Sequence, residues 1–188
     1  MMKCSVYIAT SVDGFIARED GSIDWLESSG KQDAEMGENT DMGFDDFISS
    51  VDCLIMGRNT MEMISSFHLT PDQWPYRDAR IIALSNTVKE PPENLKDKVE
   101  MYTGDLRELI AKLEREGCKH AYIDGGKTIQ TFLNLKLINE MTITLIPILL
   151  GQGKPLFGQT TQDIKLEEAE AITFPNDFVQ VHYKVSYS

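Results

Sequence analysis

The 188-residue chain has 41% apolar and 26% charged side chains, with 30 acids against 18 bases, for a net charge of −12 and a pI near 4.6. This is the composition of one globular domain with a sizeable core, and it excludes disorder, collagen and coiled coil. The excess of acid, densest in residues 1–52, repels phosphate backbones and anionic membranes, so neither nucleic acid nor a membrane is expected as a partner. No run approaches the ~20 apolar residues of a membrane span. The N-terminus also lacks the basic-then-apolar order of a signal peptide, so the expected location is cytoplasmic. Cys4, Cys53 and Cys118 form no CxxC pair and His68, His120 and His182 no ligand spacing, so buried reduced thiols and no metal site are expected.

In chain order, residues 3–10 predict a strand buried on both faces, ended by Asp13-Gly14. Residues 15–40 are rich in Gly, Ser and acids and predict a long loop or short elements only. Phe44, Phe47, Ile48 and Val51 make one helical face, and residues 53–56 a short strand that runs into Gly57-Arg58-Asn59-Thr60, where a helix opens. Strands follow at residues 80–84 and 99–102. Asp105 then starts a helix with the stripe Leu106, Leu109, Ile110 and Leu113, closed by Gly117. Residues 121–123 predict a strand breaking into Asp124-Gly125-Gly126-Lys127-Thr128, with a helix after it. Residues 141–150 read as a strand with an edge or bulge at Pro147, residues 165–174 as a further strand, and residues 179–187 as a half-exposed strand by strict alternation. The sum is a single α/β domain, a sandwich with a mostly parallel sheet, a terminal strand pair and about four helices.

Two junctions carry the chemistry. Gly57-Arg58-Asn59-Thr60 and Gly125-Gly126-Lys127-Thr128 each place unpaired backbone N–H groups, bare glycine backbone and one cation at the start of a helix, and together they can grip a diphosphate from two sides. Neither matches a GxGxxG fingerprint or a P-loop, and either taken alone is ordinary turn chemistry.

The order of Ala-Thr-Ser-Val-Asp-Gly-Phe-Ile at residues 9–16, Ile-Met-Gly-Arg-Asn-Thr-Met-Glu at residues 55–62 and Leu-Ser-Asn at residues 84–86 resembles the dihydrofolate reductase superfamily. Tyr-Ile-Asp-Gly-Gly-Lys at residues 122–127, and Pro-Ile-Leu-Leu-Gly-Gln-Gly-Lys-Pro-Leu-Phe at residues 147–157, look more like the reductase domain of the bacterial bifunctional riboflavin-biosynthesis deaminase-reductase. The resemblance spans nearly the whole chain. It implies a dihydrofolate reductase-like three-layer sandwich with an antiparallel C-terminal strand, and an NADPH-dependent hydride transfer to a C=N or C=O bond of a pteridine, aminopyrimidine or similar small heterocycle. It places Arg58 and Thr60 beside the adenosine phosphates, Ser85 near the adenine, Gly57 and Gly125 to Thr128 over the diphosphate, and Ala9 and Ile16 against the nicotinamide. Core packing is the other reading of Ile16. An arginine also suits a 2′-phosphate through bidentate, charge-assisted contacts.

On the substrate side, the resemblance assigns Asp41, sixteen residues before Gly57, and Thr144 to the acceptor site, with Asp13 as an alternative carboxylate in the riboflavin-type branch. A helix cap for Asp41 and an Asx turn for Asp13 are the structural alternatives. Ile23-Asp24-Trp25 lacks the proline that precedes the tryptophan in true dihydrofolate reductases. By the same resemblance the chain is a homodimer, with residues 141–150 and 179–187 as contact surface. The competing reading is a non-catalytic nucleotide-binding or interaction module on the same fold.

Overall fold

The computed structural model describes residues 1–188, with Asn39 described by its backbone alone. In chain order the elements are β1 (Lys3–Ser11), β2 (Phe15–Ala17), α1 (Asp24–Ser28), α2 (Phe44–Ser49), β3 (Cys53–Gly57), α3 (Arg58–Ser66), β4 (Arg80–Leu84), β5 (Val99–Tyr102), α4 (Leu106–Arg115), β6 (His120–Asp124), α5 (Gly126–Asn134), β7 (Glu140–Ile146), β8 (Lys154–Pro155), β9 (Lys165–Thr173) and β10 (Val179–Ser186). The main sheet has the order β5-β4-β3-β6-β1-β7-β10-β9. Its first six strands are parallel, and β10 pairs antiparallel with both β7 and β9. A small antiparallel ribbon joins β2 to β8.

The pleat of β1 sorts the core into layers. Cys4, Val6 and Ile8 turn toward one face, where Leu109, Ile110 and Leu113 of α4 and Ile129, Phe132 and Leu133 of α5 cover the sheet. Tyr7 turns to the other face, against Ile48 of α2 and Met61 and Ile64 of α3. A third cluster on Trp25, Ile146, Phe174 and Phe178 seats the long segment after β2 on the sheet. The result is the three-layer sandwich with a mostly parallel sheet.

Two expectations change. The helices number five among the described residues rather than about four, because a buried tryptophan rather than a long apolar stripe holds the five-residue α1. Pro147 lies just past the end of β7 and marks no bulge in it; the register shift falls in β10, between His182 and Lys184. In the sheet order β7 and β10 are interior strands, with Met141, Ile143 and Ile146 of β7 buried in the core and β10 mostly half-buried. The exposed edge is β9, all nine residues of which face solvent. No helix of the described residues is long and apolar enough to cross a membrane, and they hold no group of three or more His, Cys, Asp or Glu side chains arranged for a metal.

The strand order fixes where a ligand can enter. From β3 the chain steps outward to β4 and β5, then returns to lay β6 beside β3, and from β6 it leaves the other way, past β1 to β7. The connections after two adjacent strands therefore diverge, and that divergence opens a crevice at the carboxyl ends of β3 and β6. Phe132 of α5, fully buried against this frame, is the simplest test of it. Phe132→Ala is expected to cost about 3–5 kcal/mol of unfolding free energy, read as a lowered urea midpoint with an unchanged slope.

Candidate functional site

The crevice is a cleft of about 1140 Å³. Its walls come from the ends of β1, β3, β4 and β6, the first turns of α3 and α5, and the β2–β8 ribbon. All ten residues expected to contact a cofactor line it: Ala9, Ile16, Gly57, Arg58, Thr60, Ser85, Gly125, Gly126, Lys127 and Thr128. They come from segments far apart in sequence, and the topology brings them to one place.

The two glycine turns lie against each other. A Cβ at Gly125, whose φ is +97°, would fall 2.7 Å from Thr60 Oγ1, and one at Gly57 would fall 2.9 Å from Thr128 Oγ1. Each threonine thus packs over the other helix's glycine, and the starts of α3 and α5 converge. Neither helix has a side-chain cap. In contrast, α4 has its first N–H groups taken by Asp105, which accepts from Arg107 and Glu108 at 2.8 and 3.1 Å. Two converging nine-residue helices with open N-termini make a strong anion site, since the free N–H groups and the helix dipoles add.

Three cations line the cleft. The Arg58 Nε donates to Glu62 at 2.7 Å, and its outer nitrogen lies 3.4 Å from Thr87 Oγ1. Lys127 and Lys154 make no ion pair among the described residues. The Ser85 hydroxyl accepts from the backbone N–H groups of Thr87 and Val88, shaping the turn beside Arg58.

Asp124, quoted above only as part of a motif, stands at the floor of the cleft. Burial raises its carboxyl to about 6, against the pull of one hydrogen bond from the Gly125 N–H at 2.9 Å. The cue in the sequence was an acid at a strand end immediately before Gly-Gly, but its perturbation depends on burial, which a linear pattern does not show.

A second, smaller cavity of about 270 Å³ shares Ile8, Ala9 and Leu26 with the cleft. Asp41 and Thr144 line it, together with Tyr7, Met42, Phe44, Ile146 and Phe178. The Asp41 carboxylate accepts from the backbone N–H groups of Asp45 and Gly43 at 2.9 and 3.1 Å, and these bonds hold its pKa below the usual range. It therefore organises the approach to α2 while carrying a negative charge at the cavity wall. Thr144 Oγ1 accepts from Gln180 Nε2 at 3.0 Å, and the same amide lies 3.1 Å from Tyr7 Oη and from the Met42 carbonyl. The Tyr7 hydroxyl also donates to the Met42 carbonyl. Burial, reinforced by the Asp41 charge, raises the phenol above its ordinary value.

Asp13 lies away from both cavities. Its carboxylate accepts from Ser11 Oγ at 2.6 Å and from the N–H groups of Leu150 and Gly151 at 3.1 and 2.8 Å, pinning the 150–151 turn to the end of β1. The structure gives it a positional role through these distant backbone groups, not the local Asx turn, since the Phe15 N–H donates to Ser11 Oγ. Tyr7, Gln180, Lys154 and Asp124 were missed by the sequence reasoning.

The Asp124 assignment makes a stability prediction. The folded state holds this proton up to about pH 6, whereas an unfolded Asp releases it near pH 4. Between those values the native state binds more protons, so stability falls as pH rises, and above pH 6 the full cost of the buried charge remains. Asp124→Asn is expected to stabilise the protein by up to about 3 kcal/mol at pH 7.5 and by almost nothing at pH 4, measured by urea unfolding at the two pH values.

Comparison with known proteins identifies the family. The family model described as the RibD C-terminal domain matches residues 3–180. The uncharacterized protein YwjB of Bacillus subtilis is 36% identical over 183 residues, covering 96% of this chain and 97% of YwjB. A solved structure from Shewanella sp. PV-4, named for riboflavin biosynthesis, is 41% identical with a TM-score of 0.88, covering 99% and 100% of the two chains. The Saccharomyces riboflavin biosynthesis reductase Rib7 has the same fold at 13% identity, with a TM-score of 0.66 and coverage of 98% of this chain and 90% of that one. So does the Thermotoga maritima enzyme named as a deaminase and 5-amino-6-(5-phosphoribosylamino)uracil reductase, at 14% identity, a TM-score of 0.65 and coverage of 98% and 57%. With the family model spanning nearly its whole length, the chain belongs to the RibD C-terminal domain family.

Proposed function

We propose that this protein is an NADPH-dependent reductase that delivers hydride to a C=N or C=O bond of a small heterocycle, a pteridine, aminopyrimidine or related compound. The observation that carries the reading is the pair of uncapped helix N-termini meeting at glycine turns inside one cleft. A family whose named members include riboflavin biosynthesis reductases supports it.

The residues present fit a dinucleotide. The two turns leave no room for a Cβ, so backbone N–H groups are presented to a diphosphate directly. Lys127 and Lys154 add positive charge there. Arg58 lies at the start of α3, against the Thr87 loop, with a guanidinium edge for a further phosphate and a carboxylate partner, Glu62, that orients it. Ala9 and Ile16 provide apolar wall beside the junction with the small cavity and keep water from it. When bound, NADPH supplies the hydride. What the chain contributes is position, exclusion of water and a protonatable group, Asp124, at the cleft floor, where Oδ1 is engaged by the Gly125 N–H and Oδ2 is left to hold a proton.

Parallel titrations with NADPH and NADH, followed by tryptophan quenching, test the reading. Tighter binding of NADPH is the expected outcome, and binding of neither nucleotide would overturn it. Arg58→Ala is expected to weaken NADPH by about 10- to 100-fold, equivalent to the ~1.5–3 kcal/mol of a charge-assisted contact. NADH should change little, and neither should the melting temperature, since Arg58 is half exposed.

A further inference from the structure

One wall of the cleft is the small ribbon of β2 and β8, and two amides on α5 hold it. Ile16 stands on β2, Lys154 and Pro155 make up β8, and all three line the cleft. Both strands reach the first residue of α5, since a Cβ at Gly126 would fall 2.8 Å from the Pro155 carbonyl oxygen and 3.1 Å from Ile16 Cδ1. Beyond the ribbon the chain runs through residues 157–163, an irregular strap between the buried Leu156 and the half-buried Ile164.

Gln130 and Asn134, neighbouring positions on one face of α5, take hold of this segment at two places. Gln130 Nε2 donates to the Pro155 and Leu156 carbonyls at 3.3 and 3.2 Å, at the ribbon itself. Asn134 Nδ2 donates to the Gln159 carbonyl at 3.1 Å and its Oδ1 accepts from the Thr161 N–H at 3.2 Å, at the far end of the strap. The two side chains have the same chemistry and the same target, yet of the two only Gln130 is among the described residues lining the cleft. Its amide is closely seated: a Cβ at Gly158 would fall 2.6 Å from Gln130 Oε1.

The arrangement refers both ends of a bound dinucleotide to one helix. The open N–H groups lie at the start of α5, and Gln130, about 6 Å further along the axis, carries the wall that holds Ile16. We infer that Gln130 is a positioning residue: through the Pro155 and Leu156 carbonyls it sets the Ile16 wall where the nicotinamide end of the nucleotide is seated, while the phosphate end binds without its help. The inference rests on the reductase reading for the identity of the ligand, and the clamp stands on the hydrogen bonds.

Calorimetric titration of the whole protein with NADPH and with 2′-phospho-ADP-ribose, which lacks the nicotinamide, tests it. In the unaltered protein NADPH is expected to bind about 10-fold more tightly than 2′-phospho-ADP-ribose. Gln130→Ala, and Gln130→Met, which keeps the bulk, should cut that ratio to about 2-fold or less and leave 2′-phospho-ADP-ribose within about 2-fold of its original affinity. Asn134→Ala removes two bonds of the same kind and should lower the melting temperature as much as Gln130→Ala while leaving the ratio where it was. Gly158→Ala, which pushes the Gln130 amide off the strap without altering it, should reproduce the Gln130 result.

A ratio unchanged in the Gln130 variants, or lost equally in Asn134→Ala, overturns the inference. So does a ratio lost in the Gln130 variants but kept in Gly158→Ala, since Gln130 would then act by touching the ligand and not through the wall. A ratio near one in the unaltered protein also overturns it, because no nicotinamide is then seated at that wall. Binding of neither ligand by the unaltered protein is the separate failure of the reductase reading, and the inference falls with it.

Discussion

The structure is organised around the meeting of two helix starts. An α-helix leaves its first N–H groups unpaired, and proteins ordinarily cap them with a side chain, as Asp105 does for α4. At α3 and α5 no side chain does so. Each start instead packs a threonine over the other's glycine, which places two sets of open donors and two positive dipole ends side by side. Such an arrangement gathers positive potential, offset in part by the Asp124 carboxyl on the Gly125 N–H, and it favours an anion. The sheet makes it possible: β3 and β6 are hydrogen-bonded neighbours with Met56 opposite Asp124, so the turns that follow them cannot be far apart.

In a protein with a net charge of −12, a site for a polyanion has to gather its positive groups locally. It does so at short range. The cleft sets Arg58, Lys127, Lys154 and the two helix starts against the acids Asp20, Glu62 and Asp124, while among the described residues the smaller cavity through the shared wall carries Asp41 as its charged side chain. Groups inside the cleft act on a bound anion at a few ångströms, within the about 10 Å over which salt screens the field of acids elsewhere on the surface.

How much of this was legible in the sequence follows from how local each feature is. The glycine junctions were readable because turn, cation and helix start are contiguous, and the single helix stripe of Leu109, Ile110 and Leu113 because the helical period is short. That the two junctions touch was not a local fact; it depended on β6 being inserted between β3 and β1. The cluster of Tyr7, Gln180 and Thr144 joins three strands, with Tyr7 and Gln180 separated by 173 residues. In the sequence Tyr7 looks like one more apolar strand residue and Gln180 like a solvent-facing alternate. The raised Asp124 carboxyl was invisible for a related reason: its cause is desolvation by packing from several segments.

Asp13 shows why a motif residue that touches no ligand is still tied to the site. Its two oxygens fix the turn at Leu150 and Gly151 to the end of β1. From that turn the chain runs directly into β8, which pairs with β2, and the Leu156 N–H closes the loop onto the Gly14 carbonyl. This ribbon is the outer wall of the cleft: Ile16 and Ala17 stand on one strand and Lys154 and Pro155 on the other. Gln130 of α5 adds a clamp through the Pro155 and Leu156 carbonyls. A two-stranded ribbon of three and two residues has too little surface to hold itself in place, so the carboxylate, the backbone bond and the glutamine amide supply what the sheet does not. On the proposed reading, with a nicotinamide held against its acceptor, that wall must stand at a fixed distance, because hydride transfer is steeply sensitive to a displacement of about 1 Å. On that reading the carboxylate in the Ser-Val-Asp-Gly turn acts through geometry alone, by fixing the turn from which the wall of the cleft starts.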